Sequence, residues 1–532
     1  MFVIVIALTI LAYSNTLDGE FQFDDDISIL YNQSIKDPSL LFQPNFLDSL
    51  SQGSRPVIIF TYALNYYIGG FNVFGYHILN LIVHIINGFL IYYLVILTMR
   101  SSVTSKESQG QAHNIAVLSA AIFLLHPIQT ESVSYISQRY ESLASLFYLC
   151  SLIAYIKARP THQNTEHRAQ NTEHRAQNTE HRAQNTEHRQ KIFSPKSVFW
   201  YLTSVICYFL ALGSKEIAVT LPVIILLYDF YFLKDRPFLK RVAGPGIFIV
   251  LSLIAGIFIL SGFGKGADAG FSVKAFTPWQ YLLTEFRVLT TYIRLLFLPV
   301  NQNLDYDFRI SRSFFEIDTA LSFVFLLILI IAAIMSYKRW RVGSFFILWF
   351  FIILAPTSSI VPVIDVIYEH RVYLASAGFF VIVADVLSRL LLSLKEKSIY
   401  NKISVLGVII LIVLLSVATF QRNKVWETKL SLWEDAARKS PMKARVHNNL
   451  GNSYISLGRY LEASEEYKKA VALDEDNVGI YFNLALSLDK AGLADQALFY
   501  YKLFYERAPE PFREQKKSVA ERIEAIKKMR QL

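Results

Sequence analysis

Long apolar blocks recur along this chain, and they restrict what it can fold into more than any other feature. The blocks are about 16 to 23 residues long, while a helix needs roughly 20 residues to cross about 30 Å of hydrocarbon. With 53% hydrophobic and only 18% charged residues among 532, the apolar excess is too large for one soluble core. The sequence therefore predicts an all-α, polytopic membrane protein.

The blocks predict about eleven transmembrane helices within residues 1–420. The first block, Phe2 to Leu17, lacks the basic leader and the small-residue cleavage site of a signal peptide, so we expect a retained span. The predicted spans are 2–17, 76–98, 114–126, 142–158, 197–213, 216–233, 244–261, 319–335, 343–361, 372–394 and 403–420.

Basic loops set the expected orientation of these spans. They lie at 234–241, 338–341 and 395–402. The positive-inside rule places all three in the cytoplasm, so an even number of crossings must separate each pair. Residues 281–298 carry Glu285, Arg287 and Arg294 within an apolar run, and we predict that this segment is an interfacial helix on the outer face. The N-terminus is then inside and the C-terminal domain outside.

With this orientation, five polar segments share the outer face and contain nearly every unusual motif. They are 18–75, 127–141, 213–216, 262–318 and 362–371. The net charge of +9 comes largely from short basic loops between spans, which indicates membrane topology rather than a nucleic-acid partner. The outer face is therefore the expected functional side.

Residues 421–532 predict a tetratricopeptide-repeat α-solenoid. A 34-residue period defines two repeats, 444–477 and 478–511, with small residues where helices must approach closely. A degenerate half repeat at Trp433 to Pro441 precedes them, and a charged capping helix follows at 512–530. The solenoid could hold a partner segment in its groove, or it could only stiffen the protein.

The heptapeptide Gln-Asn-Thr-Glu-His-Arg-Ala repeats between residues 163 and 189. It spaces four histidines seven residues apart, but it is polar throughout and has no face to bury. It therefore predicts a low-complexity cytoplasmic insertion over 160–190 without chemistry. Cys150 and Cys207 both lie inside apolar blocks, so they indicate neither a disulfide framework nor a metal site.

Three consecutive carboxylates, Asp24, Asp25 and Asp26, follow the first predicted span and are the candidate catalytic residues. Adjacent carboxylates repel each other, so at least one is expected to have a raised pKa and could accept a proton from a hydroxyl group. The cluster could instead bind a divalent cation, or it could be a solvated loop. No residue is assigned as a metal ligand.

Basic and acidic residues alternate at the edges of the apolar blocks on the same face. The candidates for binding a phosphate group are Arg55, Arg139, Lys215, His370 and Arg371, and the supporting carboxylates are Glu141, Glu216 and Glu369. At headgroup depth a cation can bind phosphate while a neighbouring carboxylate holds its side chain. Snorkelling or a structural ion pair is the alternative for each motif.

Other polar residues near this face have a structural role or none assigned. His77, Asn80 and His84 share one helical stripe, which favours hydrogen bonds between helices over a metal site. Asp305 and Asp365 are outer-face acids without a role.

Several motifs, taken in order, resemble a known family. They are FQFDDDISI, SRPVIIFTYALNYYIGGFNVFGYHILNLIVH, HPIQTESVSYISQRYESLASLF, SKEIAVTLPVIILLYD and EHRVYLASAG, followed by the repeats. In these respects the chain resembles the transmembrane and tetratricopeptide-repeat-containing O-mannosyltransferases and their prokaryotic relatives. The resemblance implies the GT-C glycosyltransferase superfamily, a polyprenyl-phosphate sugar as donor, and a site on the non-cytoplasmic side of a bacterial-type inner membrane.

Individual roles follow from the same resemblance. The acidic pair of the family falls on Asp24 and Asp25, and Asp26 is a third acid, which leaves the base open by one position. The Arg-x-Glu, Lys-Glu and Glu-x-Arg elements fall on Arg139 and Glu141, Lys215 and Glu216, and Glu369 and Arg371.

The implied reaction moves mannose or another hexose from the lipid phosphate to a hydroxyl group, that of a protein Ser or Thr, with inversion at the anomeric carbon. The repeats would present the acceptor protein or peptide, and membrane lipid would carry the donor. A non-enzymatic scaffold whose repeats assemble envelope proteins is the alternative. A transporter is disfavoured, because the charges lie at one surface and not along a path through the bilayer.

Overall fold

The computed structural model describes residues 2–37, 55–100, 106–159, 195–233, 244–262, 269–393 and 398–531. Within these ranges the chain is helical and contains no strand, apart from one isolated bridge between Ala269 and Val363. The all-α prediction is therefore confirmed. The heptapeptide insertion and the basic loop at 234–241 lie outside the described residues.

The membrane part contains fifteen helices among the described residues. They are α1 Phe2–Tyr13, α2 Gln33–Lys36, α3 Pro56–Gly69, α4 Val73–Arg100, α5 Lys106–Leu125, α6 Thr130–Ser134, α7 Arg139–Ala158, α8 Pro195–Leu212, α9 Leu221–Phe232, α10 Gly246–Gly262, α11 Pro278–Phe297, α12 Ile317–Ser336, α13 Arg341–Leu354, α14 Tyr373–Ser393 and α15 Ser398–Asn423. Single 3₁₀ turns lead into several of them, at Ile136–Gln138, Glu216–Thr220 and Glu369–Val372.

Six helices of the described ranges are long and apolar enough to cross a membrane. They are Val73–Arg100, Ile136–Ala158, Pro195–Leu212, Ile317–Ser336, Glu369–Ser393 and Lys402–Trp426. The pair Gly110–Leu125 and Pro127–Ser134, bent by 54°, adds a seventh if it forms one span. Three apolar helices are shorter, at Phe2–Thr16, Gly246–Ile257 and Arg341–Leu354. The polytopic membrane character follows from these helices, whereas the count of about eleven spans stays a prediction.

Two elements differ in detail from the sequence-based expectation. The segment 18–75, expected as a polar loop, contains the apolar helix α3, whose 14 residues are too few to span, and Gly70 after the helix has a φ of 60°. The predicted span 343–361 is helical only to Leu354. Pro356 follows closely, and proline disfavours helical geometry in the residue before it.

The buried apolar side chains of the membrane part form one large cluster to which α4, α5, α7 and α14 contribute. Close helix contact depends on small residues in places. A Cβ added to Gly378 in α14 would lie 2.6 Å from the carbonyl oxygen of Phe346 in α13, so only glycine fits there. The bundle is therefore tightly packed where α13 and α14 meet.

Six further helices form the C-terminal solenoid. They are α16 Lys429–Lys439, α17 Ala444–Ser456, α18 Tyr460–Leu473, α19 Val478–Lys490, α20 Ala494–Arg507 and α21 Arg513–Gln531. A Cβ at Gly451 would lie 2.6 Å from the ring of Tyr467, which shows how closely α17 and α18 approach. Trp433 of α16 and Leu450 of α17 share a buried cluster with Trp426 and Tyr135. The solenoid therefore packs directly against the membrane part.

Candidate active site

Asp25 is the buried residue of the acidic motif. Its Oδ1 accepts hydrogen bonds from the backbone N–H of Ser137, at 2.6 Å, and from the Ser137 hydroxyl, while its Oδ2 accepts from the N–H of Gln22 at 2.8 Å. Burial raises the pKa of Asp25 to about 7, and these three donors oppose that rise. Asp25 thus ties the motif to the turn before α7.

Asp26 and Asp24 have different surroundings. Asp26 forms an ion pair with Lys429 of α16 at 2.7 Å, and both side chains are partly exposed. Asp24 is half-buried, and its N–H donates to the hydroxyl of Tyr135 at 2.8 Å. Burial raises the pKa of the Asp24 carboxyl, whereas a hydrogen bond with Tyr135 lowers it. Among the described residues Asp24 forms no ion pair, so its carboxylate is the best placed of the three to accept a proton.

The backbone before Asp24 is strained. Phe23 has a φ of 40°, a left-handed conformation that costs of order 1–3 kcal/mol in a residue other than glycine. The ring of Phe23 packs edge-on against Trp433 of α16, with ring centroids 5.3 Å apart. Packing against the solenoid thus helps to hold Phe23 in this conformation, and with it the position of Asp24.

Two ion pairs link the predicted basic motifs, with partners other than their sequence neighbours. Arg55 contacts Glu216 at 3.1 Å, and Lys215 pairs with the buried Glu141. Both cations contact the ring of Tyr140, whose centroid lies 4.0 Å from the Arg55 guanidinium and 4.7 Å from the Lys215 ammonium. Two of the predicted phosphate-binding groups are therefore brought together.

His370 joins this cluster. Its ring stands edge-on to Tyr140 with centroids 6.2 Å apart, and its electrostatic surroundings include Lys215, Arg371 and Arg55. Its Nδ1 lies 2.7 Å from Oε1 of Glu131, and Oε2 of the same residue accepts a hydrogen bond from the His370 backbone N–H at 3.2 Å. Asp24 in turn interacts electrostatically with Arg55, so the acid and the cations belong to one site.

Arg371 and Glu369 mainly order the surrounding loops. Arg371 donates to the carbonyl oxygens of Val366, at 3.0 Å, and of Asp365, at 2.7 Å. Glu369 points away from Arg371, and its oxygens accept hydrogen bonds from Gln302, Asn303 and Tyr306 at 2.6 to 2.7 Å. The predicted support of Arg371 by its neighbouring carboxylate is therefore not what the geometry shows.

Arg139 lies apart from the cation cluster. It is fully buried, and it donates to the side-chain oxygens of Asn80, at 2.6 Å, and Asn65, at 2.7 Å. It also donates to Thr61 and to the carbonyl oxygen of Tyr76. With four donors occupied, Arg139 fastens α3 and α4 to α7. Residues two apart on a helix do not face each other, which explains why Glu141 pairs with Lys215 instead.

The histidine stripe of α4 makes hydrogen bonds between elements, and that prediction is confirmed. His84 contacts the hydroxyl of Tyr373 at 2.8 Å and the carbonyl of Leu124 at 3.2 Å, and His77 contacts the carbonyl of Gly19 at 3.1 Å. Within the part of the chain that the structure describes, no three His, Cys, Asp or Glu side chains are grouped as metal ligands.

Asp25 and Asp26 do not fit the divalent-cation alternative for the acidic motif. Both oxygens of Asp25 already accept N–H or O–H donors, and both oxygens of Asp26 accept from Lys429. Donors that point at these oxygens occupy the positions a metal would need.

Arg445 of α17 is a site neighbour that no sequence pattern revealed. Its guanidinium binds Asp305 through two contacts of 2.7 Å and Asp365 through contacts of 2.6 and 3.2 Å. Arg445 and Asp365 also interact electrostatically with Asp24. A basic residue in the first turn of a predicted repeat was the only available signal.

Comparison with known proteins supports the resemblance drawn from the motifs. A family model described as a TPR repeat matches residues 451–492. A Caenorhabditis elegans protein named protein O-mannosyl-transferase F38B6.6 is 28% identical over 88% of this chain and 62% of its own length. The human protein O-mannosyl-transferases TMTC1 and TMTC3 are 24% and 23% identical over 87% and 90% of this chain, and over 54% and 52% of theirs.

The chain thus spans a little more than half the length of these curated relatives. No solved structure matches it. The resemblance to the O-mannosyltransferase family is confirmed at this level.

Proposed function

We propose that this chain is a membrane glycosyltransferase that moves a sugar, mannose or another hexose, from a polyprenyl-phosphate donor to a hydroxyl group of a protein Ser or Thr. One observation carries the proposal: the half-buried Asp24, whose pKa burial raises, faces the same site as the cations around Tyr140. A base and a phosphate-binding group are the two parts that such a transfer needs. The names of the relatives support the reaction class.

In the proposed mechanism Asp24 takes the proton of the acceptor hydroxyl as its oxygen attacks the anomeric carbon. The bond between that carbon and the phosphate oxygen breaks, and the lipid phosphate leaves with the bonding electrons. Arg55 and Lys215 stabilise the negative charge that develops on the phosphate, and His370, held by Glu131, lies beside them. Attack opposite the leaving group inverts the anomeric centre, as the resemblance implies.

The remaining predicted residues position these groups. Asp25 fixes the acidic motif to Ser137, and Glu141 and Glu216 hold Lys215 and Arg55 through ion pairs. In the same way Arg139, Arg371 and Glu369 order the surrounding helices and loops, and Asp26 joins the motif to the solenoid.

The solenoid is proposed to present the acceptor. Arg445, Asn448 and Asn452 are spaced three and seven residues apart, so they follow one face of α17, beginning beside Asp24. The Oδ1 atoms of Asn448 and Asn452 accept hydrogen bonds from Asn483 and Tyr467, which orients both side chains, and their remaining amide N–H groups match the C=O groups of an extended polypeptide. The membrane arrangement that fits is the predicted one, with about eleven spans and with the site and repeats on the non-cytoplasmic face of a bacterial-type inner membrane.

A transfer assay with a matched control tests the proposal. Purified wild-type protein in detergent is incubated with polyprenyl-phosphate mannose and its co-purifying proteins, and new O-linked sugar is measured by mass spectrometry. The Asp24→Asn variant should lose at least about 100-fold in rate, since a positioned base contributes about 10² to 10⁴. Asp318→Asn, an exposed acid beyond the site, should transfer at the wild-type rate.

Equal transfer by Asp24→Asn, with an unchanged elution volume and melting temperature, would refute the mechanism. Absence of transfer by the wild type with every polyprenyl-phosphate hexose tried would favour the scaffold alternative.

A further inference from the structure

The solenoid forms part of the wall around the acidic motif. The carbonyl oxygen of Trp426 accepts a hydrogen bond from the side chain of Gln22 at 3.2 Å, and that of Glu427 accepts from the N–H of Glu20 at 3.0 Å. The Trp426 ring stacks on Tyr135, whose hydroxyl accepts the N–H of Asp24. The loop that carries Asp24 is thus held between the membrane part and the start of the solenoid.

Arg445 extends this junction to two further loops. It is the second residue of α17, and each of its carboxylate partners, Asp305 and Asp365, comes from a different outer segment. Fork-shaped contacts between guanidinium and carboxylate are stronger and more directional than single ones. Asp305 is almost fully buried, so it requires a partner, and Lys443 provides a second cation.

We propose that Arg445 is a positioning residue for Asp24, so that the repeat domain completes the active site by placing this guanidinium against the two loops and 6.0 Å from the ring centroid of Phe23, the residue before Asp24. The inference rests on the function proposed above. It assigns the first repeat a role in the chemistry that is separate from holding an acceptor.

The charges around Asp24 make the role testable, because they act in opposite directions. The charged and titratable groups that face Asp24 are Tyr135, Tyr140, Arg55, Arg445, Asp365 and Asp25. Burial raises the pKa of Asp24, Asp365 raises it further, and Arg445 lowers it. Removal of Arg445 should therefore raise the pKa of Asp24, and removal of the Asp365 charge should lower it.

The pH profile of transfer gives the readout. A general base works only when deprotonated, so the rate falls as the pH drops through its pKa. The acidic limb is the part of the pH profile in which the rate falls as the pH drops. In Arg445→Met the midpoint of this limb should move to a pH about one unit higher, so the rate at a pH below the midpoint should be roughly tenfold lower than that of the wild type. Asp365→Asn breaks part of the same contact but should move the limb downward, and Arg445→Lys should lie between wild type and Arg445→Met.

Arg459→Met is the matched control, because it removes an exposed arginine of the same domain whose contacts, with Glu462 and the ring of Tyr454, lie within the solenoid. Its limb should stay at the wild-type position. The inference would be overturned if the acidic limb had the same midpoint in all four variants. It would also be overturned if the variants lost the same fraction of the rate at every pH.

A second measurement needs no sugar donor. Hydrogen–deuterium exchange of the segment 20–31 should rise in Arg445→Met and stay at the wild-type level in Arg459→Met, because Arg445 braces the loops around that segment. Unchanged exchange would overturn the positioning role. If Asp24→Asn transfers sugar normally, the proposed function fails instead, which is a different result.

Discussion

The stability of the Asp25→Asn variant should depend on pH in a direction that the structure fixes. Asp25 has two donors on Oδ1, both from Ser137, and one on Oδ2, from Gln22. In the variant the amide oxygen can keep the Ser137 donors, but the amide NH₂ then meets the Gln22 N–H. One lost hydrogen bond with a buried donor left unpaired costs about 1–3 kcal/mol.

In the wild type, the free energy of unfolding decreases as the pH rises, and this opposes the effect of the lost hydrogen bond. Its Asp25 pKa is raised by burial to about 7, above the roughly 3.9 of an unfolded chain, so the folded state binds more protons between these values. The wild type therefore loses stability as the pH rises from about 4 to 7, by at most about 4 kcal/mol at 1.36 kcal/mol per unit. The asparagine variant cannot titrate at this position and escapes the loss.

Melting temperatures in detergent at pH 5, 6, 7 and 8 test this reasoning, since titrations of groups that do not interact with Asp25 cancel in the difference between variant and wild type. The variant should melt below the wild type at pH 5, and the gap should shrink by pH 8. Asp26→Asn, which breaks a partly exposed ion pair, serves as the control and should cost about 0–1 kcal/mol. A gap that widens with rising pH would show that the three donors outweigh burial and that the reasoning is wrong.

Two further outcomes are expected. Lys215→Met should lower the rate of transfer about 100-fold or more, because this cation stabilises the leaving phosphate, and Lys215→Arg should retain more of the rate. Equal rates for the wild type and both variants would contradict the assignment. Arg139→Lys keeps the charge but loses one or two of four hydrogen bonds, so it should cost about 1–3 kcal/mol of stability, read from the melting temperature. Transfer per folded molecule should then stay at the wild-type level, and a selective loss would place Arg139 in the chemistry.

The elements that sequence predicted best are those encoded by local periodicity. Apolar blocks gave helices at nearly every expected position, and the 34-residue period gave helices that begin at Ala444 and Val478. The order of motifs also pointed to Arg55, Lys215 and His370, which the structure brings together around Tyr140. These signals are local, because each depends on residues within one or two helices.

Pairing between the polar residues could not be predicted in the same way. Arg445 meets Asp305 from 140 residues away and Asp365 from 80 residues away, and no local pattern encodes such a contact. Closeness in sequence was also a poor guide to pairing. Glu141 pairs with Lys215 rather than with Arg139, because two residues that are two positions apart on a helix point to different sides. The contact between Glu131 and His370 likewise joins residues 239 positions apart.

The join between α15 and α16 has a consequence for which hydroxyl groups could react. Arg422 pairs with Asp435 at 2.8 Å, and the Asn423 side chain donates to the carbonyl of Ala12 at 2.9 Å, so no free linker separates solenoid from membrane. Under the proposed function, the solenoid then holds a bound acceptor at a fixed distance from the active site. A helix advances about 1.5 Å per residue and an extended peptide about 3.3 Å per residue. The number of residues between the segment bound along α17 and a given hydroxyl group would therefore decide whether that hydroxyl group reaches Asp24. Spacing from the bound segment, as well as local sequence, would then select the modified Ser or Thr.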